Sequence, residues 1–188
     1  EPRAIQGGLQ LLAEIGALDE NGDLTEVGRQ LAHIPIDPTI ARMLLEGRKL
    51  HALDSVLIIA SALSIQDPRD RPQDKEAQAD EEHRKFRVEG SDFLSLLQIW
   101  KAYSEQYENW SQSRMRRFCR DHFISYQRLR EWREIHAQIS DVLRDLDVFR
   151  QSGSEETPDA IHRSILSGLL GNVAVREDGN WFQATKAR

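Results

Sequence analysis

The sequence predicts a mainly α-helical chain that closes on a β-hairpin, and three observations carry that reading. Apolar residues recur at three- and four-residue spacing in stretch after stretch, as on helix faces turned to a core. Residues from Leu53 to Leu63 are apolar nearly all round, which marks a helix buried on every side. Near the end, Val173-Ala174-Val175 and Trp181-Phe182 flank Asp178-Gly179, two short apolar runs about a turn dipeptide. With 188 residues, the chain suffices for one domain or two small ones, each with a core of its own.

Residues 1–36 read as helix, tight turn, helix. Ile5, Leu9, Leu12 and Ile15 share one face, and Gly16 can end that helix. Leu18 and Leu24 bracket Asn21-Gly22, which favours a small hairpin because both turn residues tolerate positive φ. Thr25 is a good N-cap for a short helix through Val27 and Leu31, which Pro35 stops. Two helices and a small hairpin in this space predict a degenerate winged helix. Asp37-Pro38 then supplies an N-cap and an N1 proline for a helix with Ile40, Met43, Leu44 and Leu50 on one face.

Residues 66–90 break the pattern. Asp67-Pro68 and Arg71-Pro72 oppose helix start-up, and Asp74 to Arg87 is highly charged, so a loop followed by a solvated helical stretch is expected. Ser91 can cap a helix whose Phe93, Leu96, Leu97, Trp100, Tyr103 and Tyr107 form a stripe, expected in the core. A helix with Met115, Phe118 and Cys119 follows, then a turn at Ser125. A long helix comes next, with Leu129, Trp132, Ile135, Ile139, Val142, Leu143 and Leu146 on its apolar face. Gln151 to Glu156 reads as a polar linker, and Thr157-Pro158 starts a last helix with Ile161, Ile165 and Leu169. A lone hairpin is marginal in water, so the closing one is expected to begin a larger β domain. The start at Glu1 rather than Met likewise suggests a piece of something longer.

Lys and Arg number 25 against 31 Asp and Glu, a net charge of −6, which excludes a uniformly basic nucleic-acid coater. In a segment-by-segment tally the one positive stretch is residues 110–136, with 7 basic and 3 acidic groups. No run approaches the ~20 apolar residues of a membrane span. The single cysteine, Cys119, permits no internal disulfide and suits a reducing cytoplasm.

Several chemistries find little support. Asp80-Glu81-Glu82-His83 superficially looks like a magnesium box, but no buried apolar strand precedes it and no phosphate-cradling glycine loop exists. It is expected to be a solvated helix face. Cys119 and His122 have C-x-x-H spacing without a second pair, so no metal site is expected. No nucleophile elbow or paired general base is evident, so no catalytic residue is assigned. The basic stretch is informative: Arg114, Arg116, Arg117, Arg120, Arg128, Arg130 and Arg133 lie on two successive helices around the Ser125 turn. Guanidinium forks match phosphate oxygens, and a helix N-terminus with unused N–H groups lies beside them. The alternative is surface ion pairing with Asp121, Glu131 and Glu134.

These residues also resemble a known family. Phe118-Cys119-Arg120-Asp121-His122-Phe123-Ile124-Ser125-Tyr126-Gln127-Arg128-Leu129 is similar to a W-C-x-x-(N/H)-(F/Y)-(L/I)-N-x-R-x-L block of DEAH-box RNA helicases. Ser91-Asp92-Phe93-Leu94-Ser95-Leu96-Leu97 resembles their (G/S)-D-H-L-T-L-L block. Gly16-Ala17-Leu18-Asp19 with Gly22-Asp23-Leu24-Thr25 and Gly28 resembles their winged-helix signature. Ile34-Pro35-Ile36-Asp37-Pro38 and Ser167-Gly168-Leu169-Leu170-Gly171-Asn172-Val173-Ala174 are similar to two further blocks, the latter leading into an OB-fold. The blocks run in family order over nearly the whole chain, and residues 74–86 and 100–103 look most like the bacterial HrpA-type branch.

The resemblance implies a winged-helix portion over 1–36, a helical-bundle ratchet domain over 37–150, and a linker helix with the first hairpin of an OB-fold over 151–188. It implies a cytoplasmic ATP-dependent RNA helicase whose RecA-like motor domains lie elsewhere in the polypeptide. ATP and magnesium would serve those motors, with no cofactor in this stretch. Here the ratchet would help hold single-stranded RNA during 3′-to-5′ translocation, as a monomer and without a membrane. Carried over residue by residue, Arg120, Ser125, Gln127 and Arg128 would contact RNA, with Asp92 orienting neighbouring groups. Ser125 stands where the family has Asn, Gln127 where it has Arg, and Phe93 where it has His. Two other readings remain open: a DNA-binding winged-helix regulator, although residues 25–34 offer only Arg29 and His33 as basic groups, and a protein-interaction helical module.

Overall fold

The computed structural model describes residues 2–146, 156–177 and 181–184. Among these are nine α-helices and one two-stranded sheet: α1 Pro2–Glu14, α2 Glu26–Leu31, α3 Pro38–Lys49, α4 Leu53–Leu63, α5 Glu76–Arg84, α6 Asp92–Tyr107, α7 Gln112–Asp121, α8 Tyr126–Arg144, α9 Pro158–Gly168, β1 Ala174–Arg176 and β2 Phe182–Ala184. The chain is mainly helical, as its periodicity predicts. It divides into two compact units, one of residues up to Val56 with the described residues from Glu156 onward, the other running from Leu57.

In the first unit, local chemistry sets the helix starts. The Thr25 hydroxyl oxygen accepts the Gly28 N–H at 3.0 Å, and the Asp37 carboxylate accepts those of Thr39 and Ile40 at 2.9 and 3.2 Å. The expected small hairpin is present as a single antiparallel bridge, Leu18 to Leu24. The Asp19 carboxylate holds it, accepting the N–H groups of Asn21 and Asp23 at 2.9 Å each, while Gly22 takes φ +85°. A side chain at Gly28 would start 2.1 Å from the Ala17 carbonyl oxygen, so α2 lies against that turn only because Gly28 has none. Ile15, Ala17, Leu31, Met43, Leu44, Val56, Ile161 and Ile165 are buried in this unit. Helices α3 and α9 pack backbone to backbone: a Cβ on Gly168 would lie 2.4 Å from the Thr39 carbonyl oxygen. Strands β1 and β2 pair antiparallel with Val175 opposite Gln183; the expected turn at Asp178-Gly179 and the linker at 151–155 lie outside the described residues.

The second unit is a helical bundle around Leu96, Ile99, Tyr103, Met115, Cys119, Leu129 and Trp132. Trp132 is the largest of its fully buried side chains, and its indole N–H donates to the Ile58 carbonyl at 2.8 Å. The α6 stripe departs from expectation. The buried face of α6 is Ser95, Leu96, Ile99 and Tyr103, while Phe93 and Trp100 are only half-buried and Tyr107 is exposed. The aromatic residues at the two ends of α6 reach beyond the bundle core. Ile99, the residue they bracket, fills it.

Candidate nucleic-acid interface

The Ser125 turn is built by backbone geometry. Where α7 ends, the Ile124 N–H donates to the Cys119 carbonyl at 2.8 Å and Phe123 takes φ +52°, the left-handed region that side-chain-bearing residues seldom adopt. The reversal turns the next backbone groups sideways. The Phe123 carbonyl accepts the Asp70 N–H at 2.8 Å, and the Ser125 N–H donates to the Pro68 carbonyl at 2.8 Å, with Arg69 and Ile124 forming an antiparallel bridge. Residues 67–70, expected as a loop, are thus a strap clamped to the turn, with Pro68 buried beneath it. His83 Nε2 lies 2.9 Å from the same Phe123 carbonyl.

The strap organises charge. The Arg69 guanidinium pairs with Asp67 at 2.7 Å and Asp92 at 3.2 Å. One terminal nitrogen of Arg128 donates to the Asp67 carbonyl at 2.9 Å and to the Asp70 carboxylate at 2.8 Å. Burial pushes the Asp67 carboxyl up, but the side-chain and backbone hydrogen bonds from Arg69 outweigh it and hold Asp67 below the usual carboxylate range. Its folded-state value is therefore depressed, and its contribution to stability is present above the ordinary value of 3.8 and lost as pH falls through the lower folded value. The expected outcome is an acid-induced loss of stability, beginning as pH drops below about 4, that Asp67→Asn reduces without abolishing, because Glu46, Asp80 and Glu82 are also held below the usual carboxylate range. Denaturation midpoints measured across that range check it.

The five residues expected at the interface fall into three places. Asp92, Ser125 and Arg128 are brought together by the strap: Asp92 through Arg69, Ser125 through Pro68, and Arg128 through Asp67 and Asp70. The Ser125 hydroxyl oxygen caps α8, accepting the Arg128 N–H at 3.4 Å, which leaves its own hydrogen to donate. Gln127 is exposed in the first turn of α8 and lines a groove of about 590 Å3 with Arg116, Tyr126 and Arg130. Arg120 stands apart on α7, its side chain 74% exposed and 3.9 Å from Asp121, too long to hold it. The ion-pair alternative is realised in part: Arg117 meets Asp121 at 3.5 Å and Arg130 meets Glu134 at 3.4 Å, both at exposed sites where such pairs contribute little.

Sequence reasoning missed a second group of cations. Arg69, Arg71, Arg84 and Arg87 share an open cleft of about 810 Å3 with Ser91 and Asp92. Arg71 is forked onto Asp80 at 2.7 and 2.8 Å, so the supposed magnesium box is a helix face that anchors an arginine. The signal was present as Arg84 and Arg87, one helical turn apart, but the surrounding carboxylates masked it in any charge tally. Cys119 is buried, and desolvation pushes its thiol up to about 11, away from thiolate chemistry. Among the described residues, no three His, Cys, Asp or Glu converge as a metal site would require, and no helix is long and apolar enough to cross a membrane.

Residues 8–36 match the family model of the helicase associated domain (HA2), winged-helix, and residues 37–96 that of the helicase associated domain (HA2), ratchet-like. The chain is 41% identical over 182 residues to the ATP-dependent RNA helicase HrpA of Escherichia coli, covering 94% of this chain and 14% of that protein. It is likewise 41% identical over 184 residues to the HrpA homolog of Haemophilus influenzae, covering 94% of this chain and 14% of that one. The probable ATP-dependent RNA helicase DHX35 of Homo sapiens is 34% identical over 167 residues, 88% of this chain and 23% of that protein. The chain thus spans a small part of the length of the relatives it matches.

Proposed function

Residues 8–96 belong to the helicase-associated family, as its winged-helix and ratchet-like domains, and from that premise we propose that the chain is the RNA-contacting, non-motor part of a DEAH-box ATP-dependent RNA helicase. On this reading residues 1–36 are the winged-helix portion, 37–150 the ratchet, and 151–188 a linker helix and the opening hairpin of an OB-fold. Motor domains elsewhere in the polypeptide bind ATP and magnesium and drive cytoplasmic 3′-to-5′ movement. The ratchet keeps single-stranded RNA seated between strokes.

The observation that carries this reading is the strap, which gathers Ser125, Arg128 and Asp92 at the start of α8 with Arg69 beside them. An RNA phosphate there meets the free N–H groups of a helix N-terminus, the Ser125 hydroxyl hydrogen and the Arg128 nitrogens not used by Asp67 and Asp70. Asp92 orients Arg69. Gln127 and Arg120, both exposed, take the flanking phosphates or ribose hydroxyls. A mobility-shift comparison tests the class of ligand. Single-stranded RNA is expected to shift the chain at concentrations where duplex DNA does not. Preference for duplex DNA would favour a winged-helix DNA binder, and no shift with either would favour a protein-binding module.

A further inference from the structure

Tyr103 is the one described residue whose buried side chain carries a polar atom without a hydrogen-bond partner. It is 1% exposed, and its hydroxyl is shut from water inside the second unit. Native folds rarely leave a buried donor unpaired, because the group has lost water and gained nothing. Tyr103 is among the residues that line a groove of about 320 Å3, with Tyr107, Arg130, Arg133 and Glu134. The Arg133 guanidinium lies over the Tyr107 ring, 3.4 Å from its centroid. Arg130 and Glu134 also line the neighbouring groove, which holds Arg116, Tyr126, Gln127 and Glu131, so the two recesses share a wall. There a second guanidinium, that of Arg116, sits 5.3 Å from the Tyr126 ring centroid.

Two guanidinium groups and the Glu134 carboxylate therefore line one recess, with the Tyr107 ring beside them and the buried Tyr103 among the lining residues. Desolvation pushes the Tyr103 hydroxyl up to about 12, so it keeps its proton at neutral pH and lacks only an acceptor. We propose that the Tyr103 recess is a second anchorage for single-stranded RNA, in which a backbone phosphate enters between Arg130 and Arg133 and accepts the Tyr103 hydroxyl proton in a hydrogen bond. The Arg133 side chain, exposed, swings off the Tyr107 ring to admit it, and Arg130 exchanges its 3.4 Å contact with Glu134 for the phosphate. The adjoining base stacks on Tyr107 or on the Arg133 plane, and the next phosphate runs along the shared wall to Arg116 beside Gln127. Guanidinium groups interleaved with aromatic rings suit a polymer that alternates phosphates and bases. An acidic peptide would use only the charge. The inference rests on the proposed function for the identity of the polymer, and it extends the RNA path beyond the Ser125 turn.

The test is binding of a labelled oligouridylate to the full 188-residue chain, read by fluorescence anisotropy beside thermal denaturation. Tyr103→Phe removes one oxygen that has no partner in the free protein, so Tm is expected to hold or rise while affinity falls about tenfold. Arg133→Gln, at an exposed site, is expected to weaken binding to a similar extent without changing Tm. If both variants bind as the wild type does while Arg120→Ala weakens binding, the recess is refuted and the proposed function stands. If the wild-type chain itself fails to bind, both fall. If both variants lose binding of a labelled oligoglutamate but not of the oligouridylate, the recess belongs to an acidic protein and the RNA assignment is overturned.

Discussion

Replacing Trp132 by Ala is expected to cost about 3–5 kcal/mol of stability in denaturant unfolding, enough to consume much of a small domain's reserve. The residue is fully buried, its ring centroid lies 5.0 Å from that of Trp100, and its indole N–H is spent on the Ile58 carbonyl. Truncation removes the apolar surface, opens a cavity that the helices on either side cannot close, and deletes the bond that ties α8 to α4. Trp132→Phe separates these effects, because it keeps most of the buried ring and loses the hydrogen bond. Its cost is expected to fall well below that of Ala. A loss under about 1 kcal/mol for Ala would contradict the placement of Trp132 at the centre of the bundle.

Removing Arg120 and Arg128 together by substitution with Ala is expected to weaken single-stranded RNA binding at least tenfold at moderate salt, with about 1.4 kcal/mol for each factor of ten. The two arginines contribute differently. Arg120 is exposed and held only loosely, so its substitution should leave stability unchanged. Arg128 also braces the strap, so its loss is expected to loosen residues 67–70 modestly, the Asp70 carboxylate being half-exposed and able to rehydrate. Arg128→Lys keeps the charge but cannot donate to Asp67 and Asp70 while offering a second edge to a phosphate, and it should fall between wild type and Ala. Equilibrium titration with a labelled oligonucleotide, with circular dichroism as the control on folding, reads both effects.

What the sequence made legible was local. Thr25, Asp37, Ser91 and Thr157 each accept a first-turn N–H from within three residues, and each was identifiable because a cap needs only its own neighbours. The central helix α4 and the hairpin strands were legible from composition for the same reason. The strap was not. Residues 67–70 and 123–125 are far apart in sequence, and nothing in the Asp-Pro-Arg-Asp segment foretells that its carbonyl and N–H groups will pair with a turn. For that reason Arg128, expected at the RNA, is half committed to Asp70, and Arg69, read as part of a loop, becomes the link to Asp92. The α6 stripe misled because period alone cannot say where a core ends, and Tyr107 emerges from it to carry Arg133. The orphan hydroxyl of Tyr103 has no sequence signature, since partner and non-partner differ only in three dimensions.

The central claim is that phosphates of a single strand are held by the guanidinium group of Arg128 at the Ser125 turn and by that of Arg120 flanking it on α7. Its most direct measurement is the salt dependence of oligonucleotide affinity in the wild-type chain and in the doubly substituted chain. For wild type, a linear fall of log affinity with log salt is expected, at about −0.7 for each phosphate held, and the double substitution should make that slope shallower by about 0.7 for each contact removed. Parallel lines for the two proteins, or affinity that ignores salt altogether, would contradict it.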